Sequence, residues 1–250
     1  MCAPPEIKKP HDPRCRLNER LSNPSQGVLG RFISRDPIGH RGGLNLYAYP
    51  TNPLSFVDYT GLDPDILGRD KWFAKPPITS KMTKCNVPPS MITIHESGES
   101  GRFFRGEDSA INRLGVQRLQ KLHFSEGYGD IGYNFIITDN GEVFEGRSLQ
   151  YEPAHVEGAN PGNIGIVMLG HFGADKSYPN GYPLSGAAKR NLVELLVYLS
   201  DKYGIDLNRQ NIKGHTERME AGVTDCPGEG ITHSLDQIVK LAKFKKEGQQ

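Results

Sequence analysis

Cysteine is scarce in this chain of 250 residues: Cys2, Cys15, Cys85 and Cys226 are too few and too widely spaced for a disulfide framework. No run approaches the roughly 18 apolar residues of a membrane-spanning helix, so no membrane span is expected. An excess of charge is missing as well. The formal net charge is +1, which gives no electrostatic footprint for nucleic acid or an anionic membrane. The opening MCAPPEIKKPHDPRC carries basic residues but no apolar core, so no cleavable secretion signal is expected. No internal repeat is found. Against these absences stand ten Tyr, ten Phe and one Trp within an apolar share of 36%. That is enough to pack one full domain with a smaller segment attached.

Residues 1–62 hold many of the prolines and Gly/Asn/Asp turn signals, with only short apolar runs. Within them GRFISRDPIGHRGGLNLYAYPTNPLSFVDYTGL, residues 30–62, reads as short strands joined by turns. Residues 63–89 are weakly patterned and contain Pro and Lys, which predicts a linker.

From residue 90 to about 247 the pattern is that of an α/β domain, a mixed sheet flanked by helices. SMITIH (90–95) alternates apolar and polar residues as a strand does. Asp108 is placed to cap a helix with Ile111, Leu114, Leu119 and Leu122 near one face. GYNFIIT (132–138) and EVFEGR (142–147) flank Asp139-Asn140-Gly141, and an Asn-Gly step is a strong hairpin signal. NIGIVMLG (163–170) is nearly continuous and apolar, as a central strand is. Ser185 is placed to cap a helix that turns Ala188, Leu192, Leu195, Leu196, Leu199 and Tyr203 inward and stops at Gly204. NIKGH (211–215) reads as a short strand and SLDQIVKLAKF (234–244) as a last amphipathic helix.

Three of the eight histidines fall where strands give way to loops, the places where a sheet fixes a side chain while leaving it accessible. His95 ends the first strand, His155 sits in the loop YEPAHVEGANPGN, and His215 ends NIKGH. Cys226 follows His215 in a Gly/Pro/Asp loop able to fold back on it. Two imidazoles and a thiolate would form a three-ligand zinc site with a fourth position open. Spacing alone does not separate that reading from satisfied histidines and an incidental thiol.

Four motifs in order narrow the choice: ITIHES (92–97), IGYNFIITDNGEVFEGR (131–147), PAHVEGANPGNIGIVMLG (153–170) and GHTERMEAGVTDCPG (214–228). Together they resemble the peptidoglycan recognition protein and phage-lysozyme amidase family over about residues 90–245. The resemblance implies that family's fold and one Zn2+ per chain, held by His95, His215 and Cys226. It implies hydrolysis of the amide between N-acetylmuramic acid and L-alanine, with peptidoglycan as partner. Tyr133 and Thr224 are the implied catalytic residues, donating hydrogen bonds where negative charge develops; Tyr133 reads otherwise as a core aromatic sharing a strand face with Phe135 and Ile137. His155 is implied to line the substrate groove, and Asn160 and Asn163 are candidates to bind substrate or to make turns. Two departures stand out. Glu96 follows His95 where the family carries a small polar residue, His or Cys; it either orients a ligand or faces solvent by strand alternation. Met219-Glu220-Ala221-Gly222 reads as extra loop before the Cys motif. Non-cutting relatives that recognise muropeptides commonly lack the metal-binding Cys, which this sequence keeps.

The 30–62 stretch resembles the core end of Rhs repeat proteins, whose toxins follow directly after it. In that family a Pro-x4-Asp-Pro-x-Gly-Leu motif marks self-cleavage; Pro53 to Leu62 matches except that Tyr59 replaces a Pro. The resemblance implies autoproteolysis after Leu62 with Asp36 and Asp58 as an acid pair, although Asp in turns is common. It also implies an antibacterial payload with a cognate immunity protein, delivered to a target cell's periplasm without a signal peptide.

Overall fold

The computed structural model describes residues 64–98, 108–220 and 222–248. The chain divides into two compact units, Met1–Leu62 and Asp63–Gln250, and the described residues belong to the second. Asp36, Asp58 and Leu62 lie outside the described residues.

Six strands form one mixed sheet: β1 (Ile66–Leu67), β2 (Met91–Glu96), β3 (Phe135–Ile137), β4 (Val143–Glu145), β5 (Asn163–Met168) and β6 (Ile212–Gly214). Their order across the sheet is β1-β4-β3-β5-β2-β6. Among these six strands only the β3–β4 hairpin pairs antiparallel, closing at Asp139-Asn140-Gly141 as the sequence predicts. β5 and β2 are central and wholly or almost wholly buried, which explains the aliphatic run in β5.

Three helices flank the sheet: α1 (Ser109–Ser125), α2 (Gly186–Tyr203) and α3 (Glu229–Glu247). The expected caps form. The Asp108 carboxylate accepts from the Ala110 and Ile111 amides, and Ser185 Oγ accepts from Ala188 N at 3.0 Å. α2 buries Ala188, Leu192, Leu195, Leu196 and Leu199 and ends on left-handed Gly204, while Tyr203 stays partly exposed. α2 packs on α3, and the pair reaches β3 and β6. The last helix starts five residues earlier than its apolar pattern suggests.

Two expectations fail here. Residues 63–89 are not a linker where they are described. β1 pairs with β4, and Trp72 is fully buried among Val116, Leu119, Ile131, Ile136, Phe144 and Val167. Trp72 Nε1 donates to Glu145 O at 2.8 Å, and Arg69 binds Gly146 O and the Asp130 carboxylate. This strap has only two strand residues and, among its described residues, a single large apolar side chain that is fully buried, so no periodicity announces it. α1 is also rotated from the expected face: Leu119 is buried, but Ile111, Leu114 and Leu122 are exposed. Part of the layer beneath the helix is the strap's own backbone, whose carbonyls need donors. Gln117 therefore donates to Trp72 O, and Gln120 exchanges hydrogen bonds with both backbone groups of Lys75.

Candidate metal centre

The parallel neighbours β2 and β6 end on the same side, which brings His95 and His215 together; their ring centroids lie 4.6 Å apart. Cys226 returns to them through two devices. Thr216 N donates to Cys226 O at 2.8 Å, and Gly214 leaves room for the Pro227 ring, which a Cβ there would meet at 2.8 Å. Cys226 Sγ then sits 3.5 Å from His95 Nδ1 and accepts the Glu96 amide at 3.4 Å. One ligand atom from each of His95, His215 and Cys226 lies within 4.8 Å of the other two.

These residues fit a zinc ion. A tetrahedral site with Zn–S of roughly 2.3 Å and Zn–N of roughly 2.0 Å has an S···N edge of about 3.5 Å, the separation seen here. Burial drives the pKa of His95 and of His215 below the ordinary imidazole value, in His95 with help from the His155 and His215 rings. Both are thus neutral, lone-pair donors at pH 7. Burial pushes the Cys226 thiol up to about 12; the Glu96 amide opposes this and the Glu96 carboxylate adds to it. A bound cation would favour the thiolate.

Tyr133 and Thr224 border the same centre. The Tyr133 ring is 4.9 Å from His95, and Thr224 Oγ1 accepts the Cys226 amide at 3.1 Å, leaving its own proton available to a ligand. The chain bends at Gly132 and Asn134 ahead of β3, and Tyr133 packs against the core cluster that holds Ile131, Ile136 and Phe144.

The N-acetylmuramoyl-L-alanine amidase family matches residues 86–229. The chain belongs to this family. It is 33% identical over 152 residues to peptidoglycan-recognition protein SC1a of Drosophila melanogaster, covering 60% of this chain and 71% of that one. It is 26% identical over 173 residues to an N-acetylmuramoyl-L-alanine amidase of Sus scrofa, covering 69% of this chain but only 27% of that relative's length. Among solved structures, Drosophila peptidoglycan recognition protein SD superposes with a TM-score of 0.58 at 24% identity, over 69% of this chain and 93% of its own. The amidase LysC from Clostridium intestinale gives 0.53 at 23% identity, over 70% and 95%. These structures show the fold of this amidase-family chain.

The residues assigned to substrate need correction. Asn163 is buried, accepts from Thr93 Oγ1 at 2.8 Å and donates to Ala159 O at 2.8 Å. Asn160 Oδ1 takes the amides of His155 and Val156, both at 2.9 Å. Both amides hold the loop, the turn-making alternative. His155 is buried, 2.9 Å from His95 Nε2. Glu96 neither orients a ligand through its carboxylate nor faces solvent. Its Oε2 accepts the Phe172 amide and its Oε1 lies 3.4 Å from His171 Nδ1. Its contribution to the centre is the backbone N–H.

Sequence reasoning missed Arg218 and Arg147. Arg218 donates to Thr93 Oγ1, Ile92 O and Asn211 O, clasping the turn after His215 to β2. Arg147 is buried and donates to the Asp130, Ile131 and Glu152 carbonyls, fixing the segments that lead into Tyr133 and His155. Arg147 closes the 131–147 motif and Arg218 lies within the 214–228 motif, which was the available signal.

Proposed function

We propose that this chain is a zinc-dependent N-acetylmuramoyl-L-alanine amidase that cuts peptidoglycan, with His95, His215 and Cys226 holding the ion. The observation that carries the reading is the 3.5 Å approach of Cys226 Sγ to His95 Nδ1 beside the His215 ring. A bound Zn2+ supplies Lewis acidity and lowers the pKa of a coordinated water to about 7. The chain's own residues do the rest. Burial raises the Tyr133 phenol's pKa far above its ordinary value, so it stays protonated and serves as a hydrogen-bond donor to the developing oxyanion. Thr224, with its lone pair engaged by the Cys226 amide, offers a second donor.

Recognition of muropeptides without cleavage is the competing reading, because the relatives include peptidoglycan-recognition proteins. The intact His-His-Cys set favours hydrolysis. We further assign the enzyme as the payload of an Rhs-type carrier, supported by the 30–62 signature, and place its action in a target cell's periplasm with an immunity protein as partner. Metal analysis paired with release of free stem peptides from purified peptidoglycan tests the activity. Wild type should bind one zinc and lose activity to a chelator; Cys226→Ser should lose both zinc and activity while keeping its circular dichroism. Stoichiometric zinc with no peptide release would hand the function to recognition.

A further inference from the structure

We propose that His155 is a positioning residue that, with the Asn163 carbonyl, fixes the tautomer of His95 so that Nδ1 faces the metal. The inference rests on the metal site proposed above. It follows from which atoms can carry protons. A backbone carbonyl only accepts, and the Asn163 carbonyl lies 3.1 Å from His155 Nε2, so that nitrogen bears hydrogen. His155 Nδ1 is then the lone-pair side of a neutral ring, 2.9 Å from His95 Nε2. His95 must donate from Nε2, and its remaining lone pair sits on Nδ1, the atom 3.5 Å from Cys226 Sγ. The reverse direction would require His155 as an imidazolium, a second cation packed against the ligand of a divalent one.

The seat of His155 is built for this. Strand β5 supplies the accepting carbonyl and, two residues on, Gly165, where a Cβ would lie 2.5 Å from His155 Cδ2 and 2.8 Å from Nε2. Asn160 holds the His155 and Val156 amides, and Asn163 ties back to Ala159, so the ring cannot slide along the strand. The His95 and His155 rings meet edge to face, 82° apart at 4.8 Å. A histidine buried in this way, with both nitrogens engaged by protein, has none left for a sugar or peptide. A partner that accepts the outer N–H of a metal-binding imidazole sets its orientation and raises its basicity.

Two measurements test the assignment, the first independent of zinc. Long-range 1H–15N correlation on the metal-free protein should show His95 protonated at Nε2 and His155 also at Nε2; a His95 protonated at Nδ1 overturns the proposal. The second is zinc affinity by chelator competition. His155→Phe keeps the volume but removes the acceptor, and should weaken zinc about 10- to 100-fold. His155→Asn, whose Oδ1 can take the place of Nδ1, should recover most of that loss, and both variants should keep the wild-type near-ultraviolet circular dichroism. Gly165→Ala should weaken zinc in the same way by crowding the ring. If His155→Phe binds zinc as tightly as wild type and only KM rises, His155 is a substrate contact and the proposal fails. If wild type itself binds no zinc, the metal site fails, and the tautomer result still stands or falls on the apo spectrum.

Discussion

The Tyr133 ring lies 4.9 Å from the ring of His95, tilted 51° to it, with its phenol kept protonated by burial and by the neighbouring Cys226 sulfur. A phenol in that state cannot serve as a base at neutral pH, but it can donate to an oxygen gaining charge. Donors of this kind act mainly in the transition state. Tyr133→Phe should therefore lower kcat on muropeptides by about 100- to 1000-fold with KM changed little. Zinc content, measured alongside, should stay at the wild-type value. A matching loss of zinc would make Tyr133 a structural support of His95 instead.

The meeting of His95, His215 and Cys226 was legible in the sequence and its supports were not, for physical reasons. His95, His215 and Cys226 lie in loops at the ends of strands that patterning reveals, so their convergence follows once β2 and β6 pair. Asn160 and Asn163 were misassigned because a polar residue beside a binding loop reads the same whether it faces ligand or backbone. α1 was turned the wrong way because the buried partners of Gln117 and Gln120 are carbonyls of the strap, 45 residues away in sequence. Apolar periodicity presumes an apolar partner; here part of the partner is bare backbone.

The strap sets where the amidase-family domain begins. Trp72 is fully buried, hydrogen-bonded to Glu145 O, and closes the core beneath β3 and β4. In the full chain Trp72→Ala should cost about 3 to 5 kcal/mol, read as a lower urea midpoint. The proposed cut after Leu62 would leave the strap with the payload. Intact mass of the purified protein reads that step: a fragment beginning at Asp63 supports release, and a single full-length species counts against it.

Acid should unfold this domain partly through His123. This α1 side chain is buried, its Nδ1 accepts the Gly132 amide at 2.8 Å, and burial, with Arg147 nearby, lowers its pKa to about 4. In the unfolded chain the same group takes up a proton near pH 6.5. Between those values the unfolded state holds more protons, so stability is full above about pH 6.5 and falls as pH drops toward 4. The contribution of this one residue is on the order of 3 kcal/mol across that window. His123→Asn can still accept the Gly132 amide through Oδ1 but does not titrate, so its urea midpoint should fall less between pH 6.5 and 4 than the wild type's. Equal acid sensitivity in the two proteins would move the effect to another buried imidazole. Because Gly132 adjoins Tyr133, the variant also separates two uses of the same contact. A flatter stability profile with unchanged kcat at pH 7 means that His123 serves the fold alone, whereas a lower kcat at that pH means that its bond to Gly132 also sets the position of the Tyr133 hydroxyl.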